Sequence, residues 1–366
     1  MKKILFLGGL TAGGAEHQMV VIAKLLKQEG YDVTYFCADN SAFFQKQLED
    51  VNIPIIRIHE NKIASMLKLN VPRTTMLLYG ILKKGHFDTV ISFLSFWNYE
   101  NCLFAKRNKT KHKAITGLRN NRDSVFLTRK YKRYVKFEKY SDIKVCNSDN
   151  AKRVFAKYFP EHANKLTTIY NIVDLPEIQS KYTIKKDGKV HIIIPASYRE
   201  VKNPMGLLRA LALMDAGERN RLQIDWYGNI KGGQSCYEQM ALFIKENGLE
   251  SVIILYDATT DIVNKINKAD MVGLFSSSEG LPNSICEGMM LGKPIVMTRV
   301  SDFDVLVDQT NGFLCDWDNP KSIKEALLSV SKLSENDLLE MGQCSKDKAE
   351  SLFSKSAILE QWKKII

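Results

Sequence analysis

Short apolar runs alternate with longer amphipathic stretches along almost the whole chain. In the first half, residues 3–7, 32–37, 53–58, 89–93, 114–117, 144–146 and 166–169 read as buried strands. In the second half, residues 190–195, 223–226, 252–255, 271–275, 294–298 and 312–315 do the same. Helix-length segments separate most of them. Uniformly apolar strands set between helices belong to parallel sheets covered on both faces, so the expected class is α/β, built twice over from βαβ units.

The alternation breaks at 174–188, where Pro176 and weak apolar periodicity predict a linker. The expected domains are 1–174 and 188–352, followed by a last helix at 353–366. From Asn319 onward the pattern is helical, with Ser334 and Ser354 as N-caps of the last two helices. A length of 366 residues suits two such domains. The apolar run at the N-terminus stops at Gly8-Gly9, which reads as a strand and not an export signal. No run approaches the roughly 18 apolar residues of a membrane span.

Seven cysteines lie singly, without a CxxC pair, and six histidines show no HxxxH spacing. That pattern suits a reducing cytoplasm and argues against a disulfide framework or a zinc site. Charge divides the chain more sharply. Residues 1–174 carry 29 Lys+Arg against 15 Asp+Glu, and residues 175–366 carry 23 against 26. The excess concentrates at 106–113 and 129–136. Aromatics at Tyr131, Tyr134, Phe137 and Tyr140 accompany the second cluster. Two readings stand: a solvated helix face with its aromatics toward the core, or contact with an anionic membrane surface. Nucleic acid is set aside as a partner.

Three segments following strands carry candidate chemistry, because open α/β sheets bind ligands at the carboxyl ends of their strands. Residues 8–16, Gly-Gly-Leu-Thr-Ala-Gly-Gly-Ala-Glu, join a strand to a helix and let backbone N–H groups approach an anion. The dinucleotide fingerprint GxGxxG is not matched. Residues 196–204, Ala-Ser-Tyr-Arg-Glu-Val-Lys-Asn-Pro, place Arg199 and Lys202 before a helix opening at Pro204. A planar guanidinium and a mobile ammonium together suit a diphosphate. Residues 275–289 run Phe-Ser-Ser-Ser-Glu-Gly-Leu-Pro-Asn-Ser-Ile-Cys-Glu-Gly-Met. Here a helix is expected to begin near 282–284, with N–H groups of Asn283, Ser284 and Ile285 forming an anion seat. Glu279 stands in the loop and Glu287 about one turn into the helix, where carboxylates can accept hydrogen bonds from vicinal hydroxyls.

The last segment resembles the Glu-x7-Glu signature of family 4 retaining glycosyltransferases of the GT-B fold, bacterial polysaccharide type. The likeness continues through Gly292-Lys293-Pro294-Ile295-Val296, Asn311-Gly312-Phe313-Leu314 and Asn319-Pro320, and back to 170–174 and 13–16. It implies two Rossmann-like domains facing across a cleft, with the C-terminal helix crossing back to the N-terminal domain. The N-terminal domain would bind acceptor and the C-terminal domain a nucleoside-diphosphate sugar, UDP-linked. By the same resemblance Glu287 would hold the nucleotide ribose and Glu279 the transferred sugar. Leu281, Asn283 and Ser284 would offer backbone N–H groups, Lys202 would bind the diphosphate, and Gly13 and Gly14 would lie against the donor. Arg119 and His17 fall on the acceptor side.

Where the family shows Gly-Arg-Leu before its lysine, this chain has Ala196-Ser197-Tyr198, so Arg199 is the candidate replacement cation. The expected reaction is hexosyl transfer to a saccharide or lipid-linked acceptor in surface polysaccharide assembly, without a cofactor or metal. The strings 302–304 and 316–318 have the form Asp-x-Asp but read as turns. The alternatives are a nucleotide-sugar 2-epimerase of the same fold and a catalytically silent sugar-nucleotide-binding subunit. The expected location is cytoplasmic, with peripheral contact at the inner membrane face.

Overall fold

The computed structural model describes every residue except 12, 40, 59–69, 107–110, 120–125, 177, 179–181 and 185–186. Part of the first basic cluster, the positions after Arg119 and part of the 174–188 stretch therefore lie outside the described residues. The chain forms two compact units, one of residues 1–172 and 355–366, the other of residues 173–354.

The first unit holds a seven-stranded sheet. Its strands are β1 (Lys3–Leu7), β2 (Asp32–Cys37), β3 (Ile55–Arg57), β4 (Thr89–Phe93), β5 (Lys113–Leu118), β6 (Ile143–Cys146) and β7 (Leu166–Thr168). They lie in the order β3-β2-β1-β4-β5-β6-β7, and every pair is parallel. Residues Ile4 to Leu7 and all of Thr89–Phe93 are buried, as strands covered on both faces must be. Helix Gly14–Gln28 covers one face with Met19, Val20, Ala23 and Leu26, and the final helix Lys355–Ile365 joins the same cluster through Ile358 and Trp362. Trp362 is 1% exposed and packs its ring 6.1 Å from that of Phe93. Burying side chains of this size contributes about 1.5–3 kcal/mol each. The carboxamide of Gln18 pins the chain at Ile172, donating to its carbonyl and accepting from its N–H, both at 2.8 Å.

The second unit holds six strands, β8 (Val190–Pro195), β9 (Leu222–Gly228), β10 (Ile253–Asp257), β11 (Met271–Leu274), β12 (Ile295–Thr298) and β13 (Gly312–Cys315). Their order is β10-β9-β8-β11-β12-β13, again all parallel. This is the doubly wound arrangement. Its strand order reverses between β8 and β11, so the loops leaving those strands diverge around a crevice where such sheets bind ligands. Asn319 caps helix Pro320–Val330, and Ser334 with Asp337 forms a capping box on helix Glu335–Phe353. Ser354 directly precedes the last helix.

Candidate active site

In the second unit, β8 ends at Pro195 and its loop turns inward at Tyr198, which is 1% exposed. The Tyr198 hydroxyl donates to the Tyr256 carbonyl at 2.7 Å, with the Trp226 carbonyl at 3.2 Å. Tyr198 is thus a core anchor, filling with a buried ring the position where the family pattern has leucine. Arg199 is exposed, and its side chain has no bonded partner among the described residues. A short 3-10 turn, Glu200–Lys202, follows, and Asn203 takes a left-handed conformation (φ 53°) before Pro204 opens the next helix. The side-chain amide of Asn203 donates to the Trp317 carbonyl at 2.7 Å and holds that turn.

The loop leaving β11 meets this turn. The Ser277 N–H donates to the Val201 carbonyl at 2.9 Å, which brings the two loops side by side. Lys202 Nζ then lies 2.6 Å from Glu279 Oε1 in a largely buried ion pair, the side chains being 22% and 12% exposed. Ser276 Oγ donates to the same Glu279 oxygen at 2.6 Å, and Thr298 Oγ1 donates to the Ser276 carbonyl at 2.6 Å. Ser301, a non-glycine residue at φ 59°, donates through its hydroxyl to the Gly280 carbonyl. Holding a side chain in that region costs about 1 kcal/mol or more, so the loop is fixed at both ends by polar contacts. Ser276, Thr298 and Ser301 escaped the sequence reading. Only the position of Ser276 three residues before Glu279 hinted at a turn contact.

The helix Asn283–Met290 begins at Pro282, buried and with extended backbone. One expectation is corrected here. The Ile285 N–H donates to the Pro282 carbonyl at 3.0 Å, as does the Cys286 N–H at 3.2 Å. The first turn closes on the Pro282 carbonyl, so Ile285 does not contribute to an anion seat. The backbone N–H groups of Leu281 and Ser284 have no acceptor among the described residues. Glu287, the fifth residue of the helix, is half-buried and makes no hydrogen bond or ion pair among the described residues. Burial without a counterion pushes its carboxyl up to about 7. A desolvated carboxylate of this kind, on a helix that follows a strand-end loop, has the character of a ligand-binding group.

The remaining expected positions lie in the first unit. Gly13 is the N-cap of helix Gly14–Gln28, without a side-chain cap. His17 stacks on Phe44 with ring centroids 5.5 Å apart. Arg119 follows β5, its guanidinium 3.8 Å above the Phe93 ring and its Nη1 donating to Asn171 Oδ1 at 2.9 Å. Its Nε is buried with no acceptor, and burial pushes the guanidinium below its ordinary value. Among the strings of Asp-x-Asp form, Asp302 is buried at the start of helix Phe303–Leu306, and Asp316 pairs with Arg299 at 2.8 Å. Among the described residues no three His, Cys, Asp or Glu side chains converge as metal donors.

Residues 176–347 match the family model for glycosyl transferases group 1, and residues 12–177 that for glycosyltransferase family 4. An uncharacterized glycosyltransferase of Haemophilus influenzae is 24% identical over 390 residues, covering all of both chains. One from Methanocaldococcus jannaschii is 28% identical over 109 residues, 29% of this chain and 31% of that one. Among solved structures, Anabaena HepE in complex with UDP superposes with a TM-score of 0.81 at 17% identity, covering 100% of this chain and 99% of that one. The lipopolysaccharide outer core galactosyltransferase WaaB gives 0.73 at 17%, covering 99% and 98%. At these identities the likeness is one of fold, and the fold is GT-B.

Proposed function

We propose that this chain, a GT-B glycosyltransferase of the group 1 and family 4 type, moves a hexosyl unit from a UDP-linked sugar to a saccharide or lipid-linked acceptor with retention. The observation that carries the reading is the Lys202–Glu279 pair at the reversal point of the second sheet, with the uncompensated Glu287 on the helix that follows the same loop. Similar folds solved with UDP, or with UDP and glucose, support the choice of donor.

In this reading Lys202 exchanges partners. In the free chain its charge is matched by Glu279 at 2.6 Å. An arriving diphosphate takes over the ammonium, and the freed Glu279 carboxylate accepts hydrogen bonds from the sugar hydroxyls. Glu287 accepts from the ribose hydroxyls. The N–H groups of Leu281 and Ser284 point toward phosphate or sugar oxygen, and Arg199 adds a mobile cation from solvent. The bond from the anomeric carbon to the phosphate oxygen breaks as the acceptor oxygen attacks from the same face. The acceptor proton passes to the departing phosphate. A cation held about 4 Å from the developing charge stabilises it by roughly 4 kcal/mol at the effective dielectric of a protein surface, which is the main contribution asked of Lys202.

On the other unit, Arg119 and His17 serve the acceptor, while Gly13 and Gly14 open a helix that already has the Glu16 carboxylate beside its start. The setting is assembly of surface polysaccharide at the inner membrane face, with the basic first unit drawn to anionic lipid. A thermal-shift panel of UDP, GDP and their sugars tests the donor: stabilisation by UDP compounds above GDP compounds is expected, and no stabilisation by either refutes the reading. The anomeric configuration of the product, read by proton NMR, tests retention. Full turnover in excess EDTA is expected, and strict metal dependence would sink the metal-free route.

A further inference from the structure

In the first unit, helix Ser95–Lys106 begins just beyond the carboxyl end of β4, and helix Arg129–Glu138 is the next helix described after β5. Between their first turns lies a cavity of about 310 Å³ lined by Ser95, Phe96, Thr128, Lys130, Tyr131 and Tyr134. That volume falls at the small end of the ligand-pocket range, roughly 300–1,000 Å³. Its rings are held by other rings. Tyr134 leans on Tyr99 at 5.2 Å, Phe96 meets Trp97 edge-on at 5.1 Å, and buried Tyr131 packs against Phe126 at 5.1 Å. Lys130 stands 6.0 Å above the Tyr134 ring.

The outer face of the same helix carries Arg129, Lys130, Lys132, Arg133 and Lys136, all exposed. None of the five has an ion-pair partner among the described residues. The one acidic residue of that helix, Glu138, is buried and paired with Lys144, so it offsets none of this charge. A second groove, lined by Leu127, Arg129, Lys132, Arg133 and Lys136, adjoins along the helix. Fixed aromatic faces suit the C–H faces of a sugar ring, and five unmatched cations suit phosphate oxygens.

We propose that this pocket binds the acceptor, and that the acceptor is a saccharide carrying phosphate. The sugar stacks on Phe96 and Tyr134, and Lys130 with its neighbours pairs with the phosphate. The assignment rests on the glycosyl-transfer reading and names its acceptor class. The phosphate comes either from a soluble phosphorylated saccharide or from a lipid-linked one at a membrane surface.

The test uses the full chain with UDP at saturation, so that the nucleotide site is filled, and ligand-observed NMR with glucose 1-phosphate and with glucose. Glucose 1-phosphate is expected to bind about tenfold more tightly than glucose, as a charge-assisted hydrogen bond implies. Lys130→Glu and Tyr134→Ala are each expected to weaken it about tenfold while leaving the UDP thermal shift unchanged. Equal binding of the two sugars overturns the proposal, as does binding untouched by both substitutions. Tighter binding of a short single-stranded RNA at the same residues overturns it too. Vesicles of phosphatidylcholine with one-fifth phosphatidylglycerol form the second arm. If they displace glucose 1-phosphate, the source is a lipid-borne phosphate; if not, a soluble saccharide, and either result upholds the pocket. Loss of the UDP shift in the unmodified chain defeats the donor reading alone and leaves the sugar-phosphate result to be judged separately.

Discussion

Two strand-to-helix loops looked alike as candidate anion sites, and they are built in opposite ways. The loop after β1 is rich in glycine, and several of its polar groups are satisfied from within. The Leu10 N–H donates to Asp39 at 2.9 Å, the Tyr35 hydroxyl donates to the Gly9 carbonyl at 2.9 Å, and the Ser41 hydroxyl donates to the Leu10 carbonyl at 2.9 Å. Glu16 lies so close to Gly13 that a Cβ there would collide with its carboxylate. The helix start therefore already has a carboxylate of its own chain beside it.

The loop after β11 is rich in serine. It uses its hydroxyls to fix the backbone and leaves the N–H groups of Leu281 and Ser284 and the Glu287 carboxylate without protein partners among the described residues. Glycine content marks close packing in the first case. Unmatched polar groups on a rigid frame mark the binding site in the second.

Breaking the second loop should have the largest effect. Lys202→Ala is expected to lower kcat/KM about a thousandfold, the upper end for removing a group that stabilises leaving-group charge. A measured loss below tenfold would detach Lys202 from the diphosphate. Glu279→Gln should cost about a hundredfold in turnover, yet UDP should bind no worse, since Lys202 then has no competing counterion. Weaker UDP binding in that variant, measured by calorimetry, would contradict the partner exchange.

Glu287 offers a test by pH. Its carboxyl is raised to about 7 by burial, so the ionised form that accepts ribose hydroxyls is half-populated near pH 7 and declines below it. The donor KM should therefore rise as pH falls through 7, by up to about tenfold per unit, and Glu287→Gln should flatten that dependence while raising KM near pH 8. A slope of the opposite sign would remove Glu287 from the ribose. The smallest effect belongs to the glycine loop. A Cβ at Gly9 would sit 2.7 Å from Asp39 Oδ2 and disturb its bond to Leu10. Gly9→Ala should then cost about 1 kcal/mol, a fall in Tm of about 2–4 °C, with the UDP shift unchanged. A variant of full stability that loses UDP binding would reverse the contrast between the loops.

Much of the fold was legible along the chain. Strands buried on both faces have no polar alternation to blur them, so Ile4 to Leu7 and Thr89–Phe93 stand out as continuous apolar runs. Boundaries moved where one face is less covered. β9 extends to Gly228 with alternating burial, and β3 shrinks to three half-buried residues at the sheet edge. The helix starts at Pro204 and Asn283 followed from proline and cap chemistry.

The site was legible in residue type but not in pairing. Glu279 and Lys202 stand 77 positions apart, and no local rule sets them 2.6 Å from one another. The order of the second sheet, with β8 beside β11, does so. Tyr198 looked like a departure near a phosphate site, and only the buried carbonyls of Trp226 and Tyr256 reveal it as an anchor. The Ile285 N–H looked available because helix starts leave donors open, yet Pro282 turns its carbonyl into that first turn.

The sequence by itself determined the α/β class, the two sheets and the residue types able to meet a diphosphate and vicinal hydroxyls. Periodicity, caps and charge act over a few neighbouring positions and survive without the fold. Tertiary structure alone decided which groups are matched and which are left open. Desolvation of Glu287, pairing of Lys202 and closure of the glycine loop all depend on atoms brought together from distant parts of the chain.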